Sequence, residues 1–279
     1  METRRPQQTI ILEDRPLLHG PPKRSDGDFA LDPATIGRYV RHGWVAVPAF
    51  FSAAQITDIV RFTEETLGLS EVSGAQMVYR ETSLLDPNTR VIQRIEDFCP
   101  HHKGFDVLIR SGRLQRCVEQ LLCEPAVLFK EKINFKMPGG AGFEAHQDQQ
   151  AGWSAYAPLF VTAMVSIDPT TIENGCLEMA TGPRQTALIG REWTPLTDEE
   201  MAHVDLAPVP TQPGDVLFFD SYVPHASKPN LSGDQRRILY LTYNRSSDGD
   251  HRARYYADKR ASFPPDIDRR PGVEYRFRV

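Results

Sequence analysis

The stretch Gly142-Phe-Glu-Ala-His146-Gln-Asp148 carries two metal-ligating side chains in what reads as an extended segment. Side chains two positions apart on such a segment point to the same side, so His146 and Asp148 can reach one metal ion together. A third ligand has to come from elsewhere. His225 is the best candidate, because it follows Gly214-Asp-Val-Leu-Phe-Phe-Asp-Ser-Tyr-Val-Pro224, a buried strand and then a turn that ends on an imidazole. Two imidazoles and one carboxylate on one face of an octahedral ion leave three positions open, the arrangement that non-haem Fe(II) oxygenases use.

Around this stretch the chain is rich in short β-type runs separated by Gly and Pro: Ala126 to Met137, Phe143 to His146, Phe160 to Ile167, Cys176 to Met179, Val216 to Phe219 and Arg237 to Tyr243. Runs of this kind suggest an antiparallel sandwich or open barrel. Upstream the pattern is helical. Pro33 suits a first turn, Ile36, Tyr39 and Val40 share a face, and Gly43 supplies a stop. A short strand is expected at Trp44 to Val47, and Ser52 with Gln55 is a capping-box signature opening a helix that ends at Gly68. Arg90 to Phe98 reads as extended. Phe105 to Leu122 reads as one or two helices with Val107, Leu108, Leu114, Val118, Leu121 and Leu122 facing inward. The fold class is therefore α+β, mainly β.

The chain has 279 residues, 40% hydrophobic and 25% charged, enough for one sizeable core. A formal charge of -5, spread along the chain without a like-charged block, gives no footprint for nucleic acid or an anionic membrane, so the expected partner is a small molecule. No stretch approaches the roughly eighteen apolar residues of a spanning helix, and the N-terminus does not read as a secretory signal. Cys99, Cys117, Cys123 and Cys176 have no zinc or disulfide spacing and read as four buried thiols in a reducing cytoplasm.

Arg236 lies eleven residues after His225, at the start of the apolar run Arg237 to Tyr243. It can place a guanidinium inside the barrel, where a bidentate carboxylate would offset its burial; the alternative is that Arg236 and Arg237 are two solvated charges at a strand start. The His-x-Asp pair, the later His after a Gly-Asp-apolar strand, the Arg beyond it and the stretch Glu173-Asn-Gly-Cys-Leu177 with Thr181-Gly-Pro183 together resemble the phytanoyl-CoA dioxygenase family of Fe(II)/2-oxoglutarate oxygenases. The resemblance covers roughly residues 32 to 245. Pro183-Arg-Gln stands where the family has Gly-Ser-His.

The resemblance implies a double-stranded β-helix (jelly-roll, cupin-like) with N-terminal helices packed on one sheet. It implies a single oxygenase domain at 32–279 with its core at about 126–245; the Pro-rich, polar opening reads as an N-terminal arm at 1–31, and the charged, Pro-punctuated tail at 246–279 as a surface-wrapping extension rather than another core element. It makes His146, Asp148 and His225 the holders of Fe(II), and Arg236 the partner of the distal carboxylate of 2-oxoglutarate, with O2 as co-substrate. Substrate hydroxylation would release succinate and CO2.

Period two puts Lys130, Lys132, Asn134 and Lys136 on one face of their strand. If that face lines the interior it binds anions. Lys132 and Asn134, with Ser227, are expected near the co-substrate, and Lys130 and Lys136 near the substrate; Asn230 is a further candidate for 2-oxoglutarate. Gln149, Trp153, Tyr156 and Tyr222 are candidate pocket walls, the aromatic rings being suited to an ammonium group. Asp220 is a candidate to orient a neighbouring imidazole. Cationic strand and aromatic wall together suggest a small zwitterion. The "HQDQQAGW" stretch and the tail Ala257-Asp-Lys-Arg-Ala-Ser-Phe-Pro-Pro resemble bacterial members that hydroxylate organophosphonates such as 2-aminoethylphosphonate or its N-trimethyl analogue. The alternatives are hydroxylation of an amino acid or secondary metabolite, a metal hydrolase, and a small-molecule-binding barrel. The Pro-rich insert from Thr194 to Thr211 is expected over the pocket mouth.

Overall fold

The computed structural model describes residues 30–275 apart from Ser111. The arm expected at 1–31 lies outside these residues up to position 29, while Leu31 is buried and donates its N–H to Gln120 Oε1.

Helix α1 (Pro33–His42) starts where Asp32 accepts the N–H groups of Ala34 and Thr35, and stops at Gly43, whose φ of 77° is left-handed. Its buried contact is Tyr39; Val40, expected on the same face, is exposed. Strand β1 (Trp44–Val47) leads to α2 (Ala53–Leu67), opened by the Ser52/Gln55 capping box. Strands β2 (Met77–Thr82) and β3 (Arg90–Glu96) pair antiparallel, and β2 is an element that the sequence pattern did not reveal. Two helices follow, α3 (Lys103–Arg110) and α4 (Arg113–Leu122). Leu114, Val118, Leu121 and Leu122 face inward as expected, but in α3 Phe105 and Ile109 are buried and Val107 is exposed.

The remaining strands are β4 (Ala126–Lys136), β5 (Phe143–His146), β6 (Val161–Ser166), β7 (Leu177–Ala180), β8 (Leu206–Val209), β9 (Val216–Asp220), β10 (His225–Ser227) and β11 (Arg236–Arg245), followed by α5 (Arg252–Ser262). They form a seven-stranded sheet in the order β1-β9-β6-β11-β4-β3-β2 and a four-stranded sheet in the order β5-β10-β7-β8. All pairings are antiparallel.

Alternation along the strands gives the larger sheet two buried faces. Ile133, Phe135, Val165, Phe218 and Leu239 pack outward into the helical layer with Ile59, Ile109 and Val118. Met164, Leu217, Phe219 and Ile238 pack inward against Leu177, Met179 and Val209 of the smaller sheet. Each such side chain contributes about 1.5–3 kcal/mol by leaving water. The result is a jelly-roll sandwich with helices on the outer face of the larger sheet, as the sequence implied. Because β1, β2 and β3 belong to that sheet, the β core begins well before residue 126.

Three expectations are corrected. The tail is not a surface wrap: α5 buries Tyr255 and Tyr256 and ties its cations to the sheet, Arg252 to Glu131, Lys259 to Glu96 and Arg260 to Asp97. The segment 194–211 is not a cover over the mouth, since it contains β8, an edge strand paired with β7, and Leu196 donates its N–H to Ala145 O. Cys123 is exposed at the left-handed C-cap of α4, while Cys99, Cys117 and Cys176 are buried; all four are free thiols.

Candidate active site

His146 ends β5 and His225 begins β10, and the two are directly paired across that ladder. Asp148 opens the 3-10 turn that follows β5. Sheet pairing thus brings together two residues nearly eighty positions apart, and the turn adds the carboxylate. One ligand atom from each of His146, Asp148 and His225 lies within 4.8 Å of the others. His146 Nδ1 is 2.7 Å from Glu144 O and His225 Nδ1 is 2.9 Å from Val223 O. With Nδ1–H donated to a backbone carbonyl, each ring keeps its Nε2 lone pair for a metal. Burial, followed by the facing His225, pushes the His146 imidazole down to about 3, and burial lowers His225 as well. Burial works to raise the Asp148 carboxyl, but His225 and Lys132 outweigh it and hold the group ionised. Two neutral imidazoles and a carboxylate with a common focus fit a divalent metal of the Fe(II) type.

Arg236 opens β11 and is 1% exposed. Its Nε and Nη1 are buried with no hydrogen-bond partner among the described residues. A buried guanidinium in that condition is costly unless an anion arrives, and the distal carboxylate of a keto acid is a matching partner. Tyr240, four residues along the same strand, lines the narrow pocket with the metal triad, Lys132, Asn134 and Ser227. The site therefore also fits 2-oxoglutarate. Neighbouring Arg237 is not solvated either: its Nε and Nη2 bind Asp168.

A larger cavity of about 660 Å³ opens beside His146 and Asp148. Lys130, Lys132, Trp153 and Tyr156 line it, so the cationic face of β4 does point inward. Lys130 Nζ stands 4.8 Å from the Trp153 ring centroid and 5.5 Å from that of Tyr255. Burial pulls the Lys130 and Lys132 ammonium groups down, Lys132 to about 8 with Lys130 adding to the effect.

Other expected site residues have different work. Lys136 does not line the cavity; its Nζ donates to Ser227 Oγ at 2.8 Å and to Lys228 O, and burial with nearby Arg236 pushes it down to about 6. Gln149 is fully buried, its amide donating to Ala157 O, because the 3-10 turn after Asp148 breaks the period-two alternation. Tyr222 donates its hydroxyl to Pro158 O and is not a wall of the cavity. Asn230 is spent on Lys136 O and Asp234 O. Asp220 orients no imidazole; it accepts Arg184 Nε at 2.6 Å and the Tyr222 N–H at 2.9 Å. Arg184, within the Pro183-Arg-Gln departure, is thus the partner of a fully buried carboxylate.

Sequence reading missed Phe143 and Tyr240, and also Trp193, Tyr255, Asp258, Lys259 and Phe263 on the cavity wall. Trp193 packs so close to Gly152 that a Cβ there would sit 2.0 Å from its ring, and Gly152 has a left-handed φ of 72°. A bulged-in aromatic next to an HxD turn had no local signal.

Comparison with known proteins agrees with this geometry. A 2-aminoethylphosphonate dioxygenase of an uncultured bacterium (HF130_AEPn_1) is 41% identical over 235 residues, 84% of this chain and 89% of the relative. A methylphosphonate hydroxylase of Gimesia maris is 38% identical over 234 residues, covering 84% and 88%. Among solved structures, EctD from S. alaskensis with 2-oxoglutarate and 5-hydroxyectoine superposes with a TM-score of 0.65 at 20% identity, covering 78% of this chain and 77% of that one. The epimerase SnoN of nogalamycin biosynthesis gives 0.63 at 22% identity, covering 77% and 85%. The family model described as "Phytanoyl-CoA dioxygenase (PhyH)" matches residues 39–238. The chain belongs to the phytanoyl-CoA dioxygenase family and is an Fe(II)- and 2-oxoglutarate-dependent dioxygenase.

Proposed function

We propose that this enzyme hydroxylates a C–H bond of a small organophosphonate, 2-aminoethylphosphonate or its N-trimethyl analogue being the specific candidates. The observation that carries the reading is Lys130, an ammonium 93% buried at the wall of the large cavity, without a hydrogen-bonding anion among the described residues and beside the metal triad. The relatives named for 2-aminoethylphosphonate and methylphosphonate support it.

In this reading His146, Asp148 and His225 hold Fe(II), which with 2-oxoglutarate and O2 supplies the oxidising power for C–H hydroxylation and leaves succinate and CO2. The backbone-anchored Nδ1 atoms of His146 and His225 would hold each imidazole so that its Nε2 is free to bind the iron. Arg236 takes the distal carboxylate of 2-oxoglutarate, with Lys132, Asn134 and Ser227 along its pocket. Lys130 draws in the phosphonate, and the Trp153 and Tyr156 rings exclude water and face the ammonium end, where a cation over a ring gains about 0.5–2 kcal/mol. Residues 32–279 act as one catalytic unit, in a reducing cytoplasm that suits the free thiols. A hydrolase has no use for a buried guanidinium awaiting a dicarboxylate.

The test is incubation of the protein with Fe(II), 2-oxoglutarate, O2 and a panel of aminophosphonates, amino acids and ectoine-like zwitterions. Succinate formation above the uncoupled background with phosphonates alone is the expected result. Stimulation only by another class would replace the substrate assignment.

A further inference from the structure

Among the described residues, the side chains at and next to the Lys130 wall of the large cavity include more cations than carboxylates. Strand β4 supplies Lys130 and Lys132, β3 supplies Arg94 and Glu96, and α5 supplies Lys259. Glu96 is 1% exposed and serves two of these cations at once: Arg94 Nε lies 2.6 Å from its Oε1, and Lys259 Nζ lies 2.7 and 2.6 Å from its two oxygens. Among the described residues neither Lys130 nor Lys132 is hydrogen-bonded to a carboxylate: the Trp153 and Tyr255 rings stand beside the Lys130 ammonium and those of Tyr240 and Phe143, at 4.8 and 5.8 Å, beside that of Lys132, with Glu96 and Asp148 acting on both through space. Asp148 belongs to the metal triad. The other acids on the cavity wall, Asp258 and Glu274, are exposed. Asp258 is more than half exposed and accepts the Tyr156 hydroxyl, with Arg254 Nε 3.7 Å away. Among the described residues Lys130 and Lys132 therefore reach the cavity without a carboxylate hydrogen-bonded to them, while Arg94 and Lys259 both bind Glu96.

We infer that Lys130 and Lys259, with Lys132 at the junction to the keto-acid pocket, form a subsite for a doubly charged tetrahedral head group, and that α5 thereby takes part in substrate selection. The inference rests on the phosphonate reading for the identity of the ligand. A dianion offsets twice the charge of a monoanion of equal shape, and its three oxygens match the donors that two ammonium groups present. Glu96 acts as a positioning residue, holding Lys259 at the cavity wall. The subsite is dianion-selective because a single negative charge leaves more of this buried positive charge uncompensated.

The sulfonate isostere gives a direct test, since 2-aminoethanesulfonate matches 2-aminoethylphosphonate in shape but carries one negative charge on its head group. Calorimetric titration of the protein with Fe(II) and 2-oxoglutarate under argon, at about pH 7.5, compares the two above the second ionisation of the phosphonate, near 6 by analogy with phosphate. The phosphonate is expected to bind at least tenfold more tightly. Lys259→Met is expected to cut that preference at least threefold with 2-oxoglutarate affinity unchanged, and Lys259→Arg to retain it. Because Lys259→Met loosens a buried ion pair, the double variant Glu96→Gln/Lys259→Met, which removes both charges, and Lys130→Met carry the test if the single variant does not fold. Equal affinity for the two ligands, or a preference that survives both Lys130→Met and the double variant, overturns the subsite. Dianion-selective binding without succinate formation sustains the subsite and overturns the assignment of the phosphonate as the hydroxylated substrate.

Discussion

His225 faces His146 across the β5–β10 ladder with ring centroids 4.3 Å apart, each Nδ1 committed to the carbonyl two residues before it. In the proposed reading, removing either ring takes away an inner ligand. The expected loss in Fe(II) affinity exceeds the roughly 10–100-fold that deleting an outer-shell partner costs. Anaerobic titration with Fe(II) and 2-oxoglutarate, following the visible charge-transfer band of the chelate, reads this out. An unchanged band in His225→Ala would rule out the triad.

Arg236→Ala is expected to weaken 2-oxoglutarate binding by about 2–4 kcal/mol, roughly 30- to 700-fold. The same change removes a buried charge whose Nε and Nη1 have no partner. Arg236→Met is therefore expected to raise the melting temperature of the protein free of co-substrate. Scanning calorimetry with and without 2-oxoglutarate checks both halves, and a variant destabilised in both states contradicts the assignment.

The Lys132 ammonium, held at about 8 by burial and Lys130, gives a pH signature. Below about 8 it is charged and attracts the anion, so phosphonate affinity falls as pH rises through that value. Lys132→Met should flatten the limb. The protein without ligand behaves oppositely: between about 8 and the 10.5 of the unfolded chain the unfolded state holds the extra proton, so stability rises with pH. KM for the phosphonate across pH 6.5 to 9.5, and urea midpoints over the same range, test the two signs.

Arg184→Ala leaves Asp220 buried without its cation, and burial already works to raise that carboxyl. A loss of about 3 kcal/mol in stability is expected, at the low end for a broken buried pair because Arg184 is partly exposed. Arg184→Met/Asp220→Asn should recover much of it. Denaturant unfolding of both variants decides, and a single variant as stable as the parent would mean the pair is idle.

The metal triad was legible because its geometry is local at one end, His-x-Asp on a strand, and marked at the other by a strand ending in a turn. Arg236 was legible for the same reason, as a charge opening an apolar run. Gln149 was misplaced because nearness in sequence to the metal motif does not survive the 3-10 turn that begins at Asp148, and Tyr222 because its hydroxyl is taken up by Pro158 O. Val40 and Val107 were assigned to inner faces where neighbours Tyr39 and Ile109 do the packing. Helix α5 escaped notice since Arg252 to Ser262 shows no apolar stripe. It is held by Tyr255, Tyr256 and ion pairs to Glu96, Asp97 and Glu131, carboxylates more than a hundred positions away. Contacts of that range leave no periodic trace in a sequence.

The two sheets divide the labour of the site. Two metal ligands, His146 and His225, ride on the four-stranded sheet, whereas Arg236, Lys130 and Lys132 ride on the seven-stranded one and Lys259 on α5. In the proposed reading the two histidine ligands and the cations that grip the substrate are thus carried on separate pieces of backbone. If α5 selects substrate as inferred, substitutions in that one helix retune which compound is oxidised while the ladder carrying His146 and His225 stays untouched.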